Sequence, residues 1–382
     1  MPYLHADIFP RQIPKTPGGV CGDVVECFRA PEAAWVVCAD GMGSGARANI
    51  SANFCASLLK GHLLAGWSLR DAFRSAAAAM DAARRPGLPY AAFSVARLSP
   101  AGRATVLTYD APPPLRLSPV GAESLPVRRL DGVEGAAGEA DCRLGPGEAL
   151  VLVSDGVTEA GRGAGLHGGW GVAGLCRFLS DAVVRGVPPA ELSGAVCARA
   201  DELCGAGPRD DATAVVCRVR RGIVLNILTG PPADSARDRE VVGRFLGMAG
   251  HRVVSGGTTA SIVARVTGRE PRLLPRAPGA VDPPAWALDG VDLVTEGAVT
   301  MNQAHNIMDV PPERRISPSG VSELCALMEN ADRVNFIVGT AANTASNDVR
   351  FQQQHILPRT VIIPLLRERL ERGGRLVTVE YV

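Results

Sequence analysis

Aspartates stand at the ends of three apolar, strand-like segments of this chain. Asp40 follows AAWVVCA, Asp155 follows EALVLVS, and the pair Asp210 and Asp211 precedes ATAVVCRV. Carboxylate ligands without histidine or a cysteine pair suit hard divalent ions such as Mg²⁺ or Mn²⁺ better than structural zinc. If these strand ends converge, the acids would hold two such ions and direct a water molecule at phosphorus.

Glycine accompanies these acids and has a physical use beside them. Because it has no Cβ, Gly41 lets the backbone turn sharply after Asp40 and present its carbonyl to a metal ion. A further acid, Asp23, also follows a glycine, in VCGDVVECF. An isolated Asp-Gly pair is most often an ordinary turn. The prediction of a metal site therefore depends on all of these segments together.

The segments in this order resemble the metal-dependent protein phosphatase (PPM) family, and within it the bacterial stage II sporulation E (SpoIIE) branch. The resemblance covers roughly residues 15–220 and implies an α+β fold class, a PPM-type α/β/β/α layered sandwich. YDAPPPLRL is similar to a proline-containing turn of the family. The family's motifs correspond here to GD at 22–23, DGMGSG at 40–45, SDGVTEA at 154–160 and DDATAVV at 210–216.

The resemblance also implies a role for each site residue. Asp40 would bridge both ions, Asp155 and Asp210 would hold the second ion, and Asp23 would hold the first, directly or through water. Asp211 would support Asp210 more than bind metal itself, and Ser154 and Thr213 would orient the ligands. The implied catalytic residues are Asp40, Asp155 and Asp210, and the implied metal site comprises Asp23, Asp40, Gly41, Asp155, Asp210 and Asp211.

The implied activity is hydrolysis of phosphoserine or phosphothreonine on a bacterial regulatory protein, by a water bridging two Mn²⁺ or Mg²⁺ ions. Two alternatives stay open: a non-catalytic signalling scaffold that recognises a ligand through its C-terminal domain, and a phosphatase acting on a small metabolite. Loss of a site acid would favour the scaffold, and a cluster of Lys or Arg would favour the metabolite. Met42 replaces a histidine suspected as general acid in eukaryotic relatives, which predicts slow turnover.

Composition limits the partners and the compartment. The 382 residues suffice for two domains, and a formal net charge of +1 without a basic block predicts neither nucleic acid nor a membrane surface as partner. We expect a cytoplasmic protein, because the sequence has neither an apolar stretch of 18 residues nor the regions of a signal peptide. Ten scattered cysteines without a C-x-x-C motif predict reduced thiols. A homodimer is compatible with the sequence.

The elements that must position the acids are short apolar strands with a few amphipathic helices among them. Apolar residues recur three and four positions apart over residues 46–64, 70–83 and 188–204, which predicts helices there. The first of these helices follows the Asp40 turn directly, and it is either a regulatory switch or an ordinary packing helix. The glycine-dense segment 161–172 is predicted to be a flexible flap over the site.

The pattern changes near residue 221, so we predict a phosphatase domain over 1–220 and a small α/β domain, parallel-sheet-like, over 222–382. Several of its strands end in glycine turns, and ligands of open α/β sheets bind at such ends. Neither a dinucleotide-binding fingerprint nor a P-loop is present. A structural or protein-docking domain, sensing a signal or holding a partner, is the alternative. The candidate ligand-site residues are Gly256, Gly257, Thr258 and Glu296.

Overall fold

The structure, a computed structural model, describes residues 2–133, 135–207, 209–274, 283–315, 319–341 and 356–382. The chain divides into an N-terminal unit, Tyr3–Arg221, and a C-terminal unit, Gly222–Val382. Within the described ranges, no helix is long and apolar enough to cross a membrane.

The N-terminal unit contains two antiparallel sheets and the helices that cover them. The five-stranded sheet has the order β1-β11-β10-β6-β7, and the six-stranded sheet has the order β2-β3-β4-β5-β9-β8. Its strands are β1 (Leu4–Ile13), β2 (Asp23–Ala30), β3 (Ala33–Gly41), β4 (Ala91–Leu98), β5 (Arg103–Tyr109), β6 (Leu115–Ser118), β7 (Gly121–Ser124), β8 (Arg128–Arg129), β9 (Ala137–Arg143), β10 (Ala149–Val153) and β11 (Ala212–Arg221). Its helices are α1 (Gly45–Leu64), α2 (Leu69–Arg84), α3 (Asp155–Thr158), α4 (Gly171–Val184) and α5 (Pro189–Cys204).

Strand β3 shows how the layers of this unit are built. Trp35 and Val37 pack with residues of α1 and α2, whereas Ala34 and Val36 pack with residues of the other sheet. Side chains of a strand alternate between its two faces, so β3 is buried on both sides. Helices α4 and α5 cover the far face of the five-stranded sheet. The layers are therefore helix, sheet, sheet, helix, and the predicted α+β sandwich is confirmed.

The predicted helices of this unit are confirmed within two residues of their ends. Residues 46–64, 70–83 and 188–204 correspond to α1, α2 and α5. Helix α2 begins after Ser68, whose hydroxyl accepts the Asp71 amide, as an N-cap side chain does. Helix α4 was not predicted, since it begins at Gly171 without a capping side chain and its start lies in the glycine-dense segment.

The C-terminal unit is built on one seven-stranded sheet of order β14-β15-β16-β13-β12-β17-β18. Strands β16, β13, β12, β17 and β18 pair in parallel, and β14 and β15 are antiparallel at one edge. The strands are β12 (Val224–Thr229), β13 (His251–Ser255), β14 (Arg272–Leu273), β15 (Trp286–Leu288), β16 (Val291–Thr295), β17 (Arg333–Val338) and β18 (Leu376–Tyr381). The helices are α6 (Asp238–Gly247), α7 (Gly257–Thr267), α8 (Gly297–Ile307), α9 (Gly320–Asn330) and α10 (Arg359–Arg372).

Helices cover both faces of this sheet. Residues of α6 and α7 pack with Leu228 on one face, and residues of α8, α9 and α10 pack with Leu225 and Ile227 on the other. The first strand, β12, lies between β13 and β17, so the strand order reverses direction there. In an open α/β sheet, this reversal leaves a crevice at the carboxyl ends of the strands.

Candidate active site

Asp23 and Asp40 lie directly opposite each other on β2 and β3. The antiparallel register pairs Asp23 with Asp40, and β4 places Ala92 on the other side of Asp40. Even-numbered residues of β3 face the second sheet, so the Asp40 side chain points into the space between the sheets, at their end. Asp23 is only 2% exposed.

Asp155 reaches the same space from the opposite sheet. Strand β10 pairs with β11, and just beyond it the Ser154 amide donates to the Thr213 carbonyl at 3.0 Å. The Thr213 amide donates to the Ser154 hydroxyl at 2.9 Å in return. These two bonds fix the point at which α3 begins, so Asp155 emerges toward Asp40, and both residues line one small cavity.

Burial and like charges govern the protonation of this group. Burial is the main cause that raises the pKa of Asp40, and the neighbouring charges of Asp23, Asp155 and Asp210 raise it further. Burial likewise raises the pKa of Asp23, while the nearby Thr213 and Ser154 hydroxyls lower it in part. At full hydrogen-bond geometry, neither carboxylate oxygen of Asp23 has a donor. A buried carboxylate without a partner is unfavourable unless a cation accompanies it.

The donor chemistry fits a hard divalent cation, although the side chains are not drawn together around one. Across the described part of the chain, no three acid, histidine or cysteine side chains are arranged to hold a metal ion as they stand. Asp40 and Asp155 instead lie near enough to each other for the Asp155 charge to raise the pKa of Asp40. The oxygen-only donors and the unpartnered Asp23 match the preference of Mg²⁺ and Mn²⁺.

The DDATAVV motif, residues 210–216, has its two acids in different environments. The Asp211 carboxylate is buried, and its Oδ1 accepts the Lys15 amide at 2.8 Å. Asp210 is half exposed, and its Oδ1 accepts the Asp211 amide at 3.0 Å and lies 3.6 Å from Lys15 Nζ. Asp211 thus anchors the loop that carries Asp210, and its supporting role at a metal site stays a prediction.

Glycines at the site are required by close backbone contacts. A Cβ on Gly41 would overlap the carbonyl oxygen of Ala48 in α1, and a Cβ on Gly156 would overlap the carbonyl oxygen of Asp211. Helix α1 therefore lies directly against the end of β3. Any side chain at residue 41 would push this helix away from Asp40.

Gln12 is a site neighbour that the sequence did not reveal. Its Nε2 lies 3.0 Å from the Asp23 carbonyl oxygen and 3.2 Å from Thr213 Oγ1, and it can donate to both. The pairing of β1 with β11 places it opposite Thr213. No motif includes Gln12, and only the sheet topology brings it beside the acids.

Asp110 holds an unusual backbone conformation beside the site. Its φ of 49° is the one positive value that the structure gives to a described residue other than glycine. Its carboxylate accepts the Ala136 amide and Arg84 Nη1, both at 2.8 Å. Asp110 and Pro112 line a small cavity together with Asp40 and Asp155. The turn recognised in YDAPPPLRL thus forms one wall of the site.

Residues 30–220 match the family model described as stage II sporulation protein E (SpoIIE), and this match spans half of the chain. The chain belongs to the SpoIIE family. SpoIIE proteins are PPM-type protein serine/threonine phosphatases that depend on metal ions, and this chain is an enzyme of that class. No curated protein sequence matches the chain.

Several solved structures are similar to the chain at low identity. The RsbU and RsbW domains of a Mycobacterium tuberculosis protein share 16% identity at a TM-score of 0.48, over 70% of this chain and 71% of theirs. The PP2C domain, with a regulatory fragment, of the Bacillus subtilis cell fate determinant SpoIIE shares 19% identity at a TM-score of 0.49, over 58% and 65%. The SiaA PP2C domain of Pseudomonas aeruginosa shares 17% identity at a TM-score of 0.44, over 55% and 85%.

The candidate ligand-site residues of the C-terminal unit lie at one edge of its sheet. Gly256 precedes α7, Gly257 and Thr258 form its first turn, and Glu296 precedes α8. The Gly256 amide donates to the Thr295 carbonyl at 2.8 Å, which holds the two turns together. A ligand at these residues stays a prediction.

Proposed function

We propose that this SpoIIE-family enzyme hydrolyses phosphoserine or phosphothreonine on a bacterial regulatory protein with two Mn²⁺ or Mg²⁺ ions. Asp23, Asp40, Asp155 and Asp210, with the Gly41 carbonyl, would hold them. The observation that carries the proposal is the buried Asp23 carboxylate, which faces Asp40 and has no donor at full hydrogen-bond geometry. Such a group needs a cation, and an oxygen-lined site provides for one.

The ions, when bound, supply Lewis acidity and lower the pKa of a water molecule so that it attacks phosphorus at neutral pH. The protein's own residues determine where this happens. Ser154 and Thr213 fix the position of Asp155, Asp211 fixes the loop of Asp210, and Gln12 fixes the backbone at Asp23. Errors of about 1 Å in such positions cost large factors in rate, so these contacts matter for catalysis.

A protein substrate agrees better with the surroundings of the acids than a small metabolite does. The described residues that line the cavity at Asp40 and Asp155 include no lysine or arginine that would clasp a free phosphorylated metabolite. At the same end of the sheets, Asp210 is half exposed and Met42 is 45% exposed. The site thus opens to the surface, where a phosphorylated side chain of another protein can reach it.

Hydrolysis of a phosphoserine peptide and of p-nitrophenyl phosphate, each with Mn²⁺, Mg²⁺ or EDTA, tests this function. Wild type is compared with Asp155→Asn, which loses a ligand without changing side-chain size. The exposed Asp131→Asn is the matched control. We expect metal-dependent turnover that the site variant loses by at least about 100-fold and the control retains.

Two results would contradict the proposal in different ways. If neither ion supports turnover and calorimetry shows no Mn²⁺ binding, the protein acts as a signalling scaffold. If p-nitrophenyl phosphate and small phosphate esters are turned over but phosphopeptides are not, the metal chemistry stands and the protein substrate is wrong.

A further inference from the structure

A row of buried hydroxyl groups crosses the carboxyl edge of the C-terminal sheet. Thr229, Ser255 and Thr295 are the last residues of β12, β13 and β16, and the parallel register pairs them in that order. Each is at most 1% exposed. All three occupy positions that alternate with residues facing α6 and α7, so they face the side covered by α8, α9 and α10.

Two of these hydroxyls have partners and the third has none. Thr295 Oγ1 lies 3.2 Å from Ser255 Oγ, which lies 3.2 Å from the Gly297 carbonyl oxygen. Thr229 Oγ1 is fully buried and has no hydrogen-bond partner. Buried hydroxyls are nearly always paired, so an unpaired one at a sheet edge indicates a missing polar partner.

Arg359 brings a positive charge to the same place. It is the first residue of α10, and its guanidinium lies over Gly230, the residue after Thr229, where a Cβ would otherwise be. Its Nη2 lies 3.3 Å from the Ala341 carbonyl oxygen. Burial lowers the pKa of this guanidinium, and no acidic side chain among the described residues pairs with it.

The other arginines of α10 show how unusual this is. Arg367 pairs with Glu371 at 2.8 Å, Arg372 pairs with Glu368, and Arg369 pairs with Asp309. These arginines satisfy their charge on the protein itself. Arg359 is half-buried and is left without a counter-ion, a state that is unfavourable unless an anion joins it.

Helix N-termini reinforce the positive potential at this edge. Helices α7, α8 and α10 all begin there, and none has a side-chain cap on its first amides. Helix α9, by contrast, begins with a capping box formed by Ser319 and Ser322. Uncapped N-termini leave free N–H groups and the positive end of the helix dipole, which bind anions.

Close backbone contacts join the chain segments that follow β12 and β17. A Cβ on Gly339 would overlap the carbonyl oxygens of Gly230 and Pro231. The two strand ends therefore approach closely at the point where the strand order reverses. Open α/β sheets bind their ligands at this topological position.

We propose that the carboxyl edge of the C-terminal sheet binds the phosphate or carboxylate group of a small molecule, through Arg359, the Thr229 hydroxyl and the first amides of α10. Gly256, Gly257 and Thr258 on the neighbouring turn would contact the remainder of that molecule. The C-terminal unit is then a sensor of a small anionic metabolite. This inference does not depend on the phosphatase chemistry of the other unit.

Calorimetric titration of the full chain with inorganic phosphate, pyrophosphate, ADP or citrate tests this site. The titrations use the Asp155→Asn background with EDTA, which removes metal-dependent phosphate binding at the phosphatase site. We expect at least one probe to bind, and the phosphate and carboxylate probes together identify the anion. Arg359→Gln should weaken that binding at least ten-fold, and the exposed, acid-paired Arg367→Gln should leave it unchanged.

Hydrogen exchange with and without the binding probe shows where it sits. We expect added protection at residues 224–230 and 356–362. If Arg359→Gln does not fold, Thr229→Val replaces it, with an expected loss of about three-fold or more. The proposal is overturned if no probe binds the Asp155→Asn parent, if binding is the same in the folded site variant and the control, or if protection is confined to the segments around Asp40 and Asp155.

Discussion

Asp23 and Asp40 face each other across β2 and β3, and Asp155 approaches Asp40 from the opposite sheet, where both line one small cavity. Three carboxyl groups thus meet between the sheets at a place where burial already raises the pKa of Asp23 and of Asp40. In the absence of a cation, the folded protein must keep part of this group protonated. This requirement links the stability of the metal-free enzyme to pH.

The metal-free enzyme should lose stability as the pH rises. Burial raises the pKa of Asp23 from 3.8 to about 7 and the pKa of Asp40 from 3.8 to about 10. The folded state therefore binds more protons than the unfolded state above pH 4. The stabilisation is complete below pH 3.8 and is lost as the pH rises through the folded-state pKa values of the two carboxyl groups. Urea unfolding in EDTA should show a fall between pH 5.5 and 8, by up to about 1.4 kcal/mol per pH unit for each carboxyl. Saturating Mn²⁺ should reduce or reverse this slope, because metal binds the deprotonated ligands.

Asp23→Asn should stabilise the metal-free protein while weakening its metal binding. The substitution removes a buried negative charge without a partner, so we expect a gain of about 1–3 kcal/mol at pH 8 in EDTA. The gain should shrink at pH 5.5, where the wild-type carboxyl is protonated in the fold. Mn²⁺ should raise the melting temperature of the variant less than that of wild type. A variant that is less stable than wild type at pH 8 would show that Asp23 is satisfied by the protein alone.

Much of the N-terminal fold could be predicted because its signals are local. The helices over 46–64 and 70–83 have clear periodicity, and the acids follow runs of apolar residues that form β3 and β10. Helix α4 could not be predicted in the same way. Its first residue, Gly171, is preceded by turns through Gly165 and Gly169 with positive φ, and no capping side chain marks its start.

The residues that sequence reasoning missed are those placed by long-range pairing. Gln12 reaches Asp23 and Thr213 only because β1 pairs with β11, which lies two hundred residues later. Arg359 reaches Gly230 only because α10 follows β17, the strand that pairs with β12. Neither position has a motif of its own. Sheet topology, which short sequence patterns do not encode, decides such contacts.

Gly41→Ala should disturb the packing of α1 against the turn that follows Asp40. The added methyl group would overlap the Ala48 carbonyl, so α1 must move or the turn must distort. We expect a loss of about 1–3 kcal/mol or more in unfolding free energy and a large loss of activity. Gly61→Ala, within α1, is the matched control, since a Cβ there meets no atom within 4 Å. That variant should be neutral or gain about 0.5–1 kcal/mol.

Met42→His tests whether the enzyme lacks a general acid for the leaving group. The Met42 side chain is 45% exposed, and its backbone amide is held by the Tyr90 carbonyl at 2.9 Å, so histidine fits without repacking. General acid catalysis typically contributes about 100-fold or more, and even an imperfectly placed histidine should raise kcat about ten-fold. The gain should disappear above a pH of about 6.5, the usual histidine pKa. Equal rates on a phosphoserine peptide would show that protonation does not limit turnover.

Substitutions of Asp110 test how the turn that borders Asp40 and Asp155 contributes to activity. Its left-handed backbone favours Asp, Asn or Gly, and its carboxylate ties Ala136 and Arg84 together. Asp110→Asn keeps the backbone preference and one acceptor, so we expect a loss of at most about 1 kcal/mol. Asp110→Ala adds backbone strain and removes both contacts, with an expected cost of about 2–4 kcal/mol. Because Asp110 and Pro112 border the cavity at Asp40 and Asp155, kcat should fall in the same order.

Asp110→Gly separates the two causes, because it relieves the backbone strain but still lacks the carboxylate. If it restores stability without restoring kcat, the side-chain contacts position the turn for catalysis, whereas full recovery of both would show that only the backbone conformation matters.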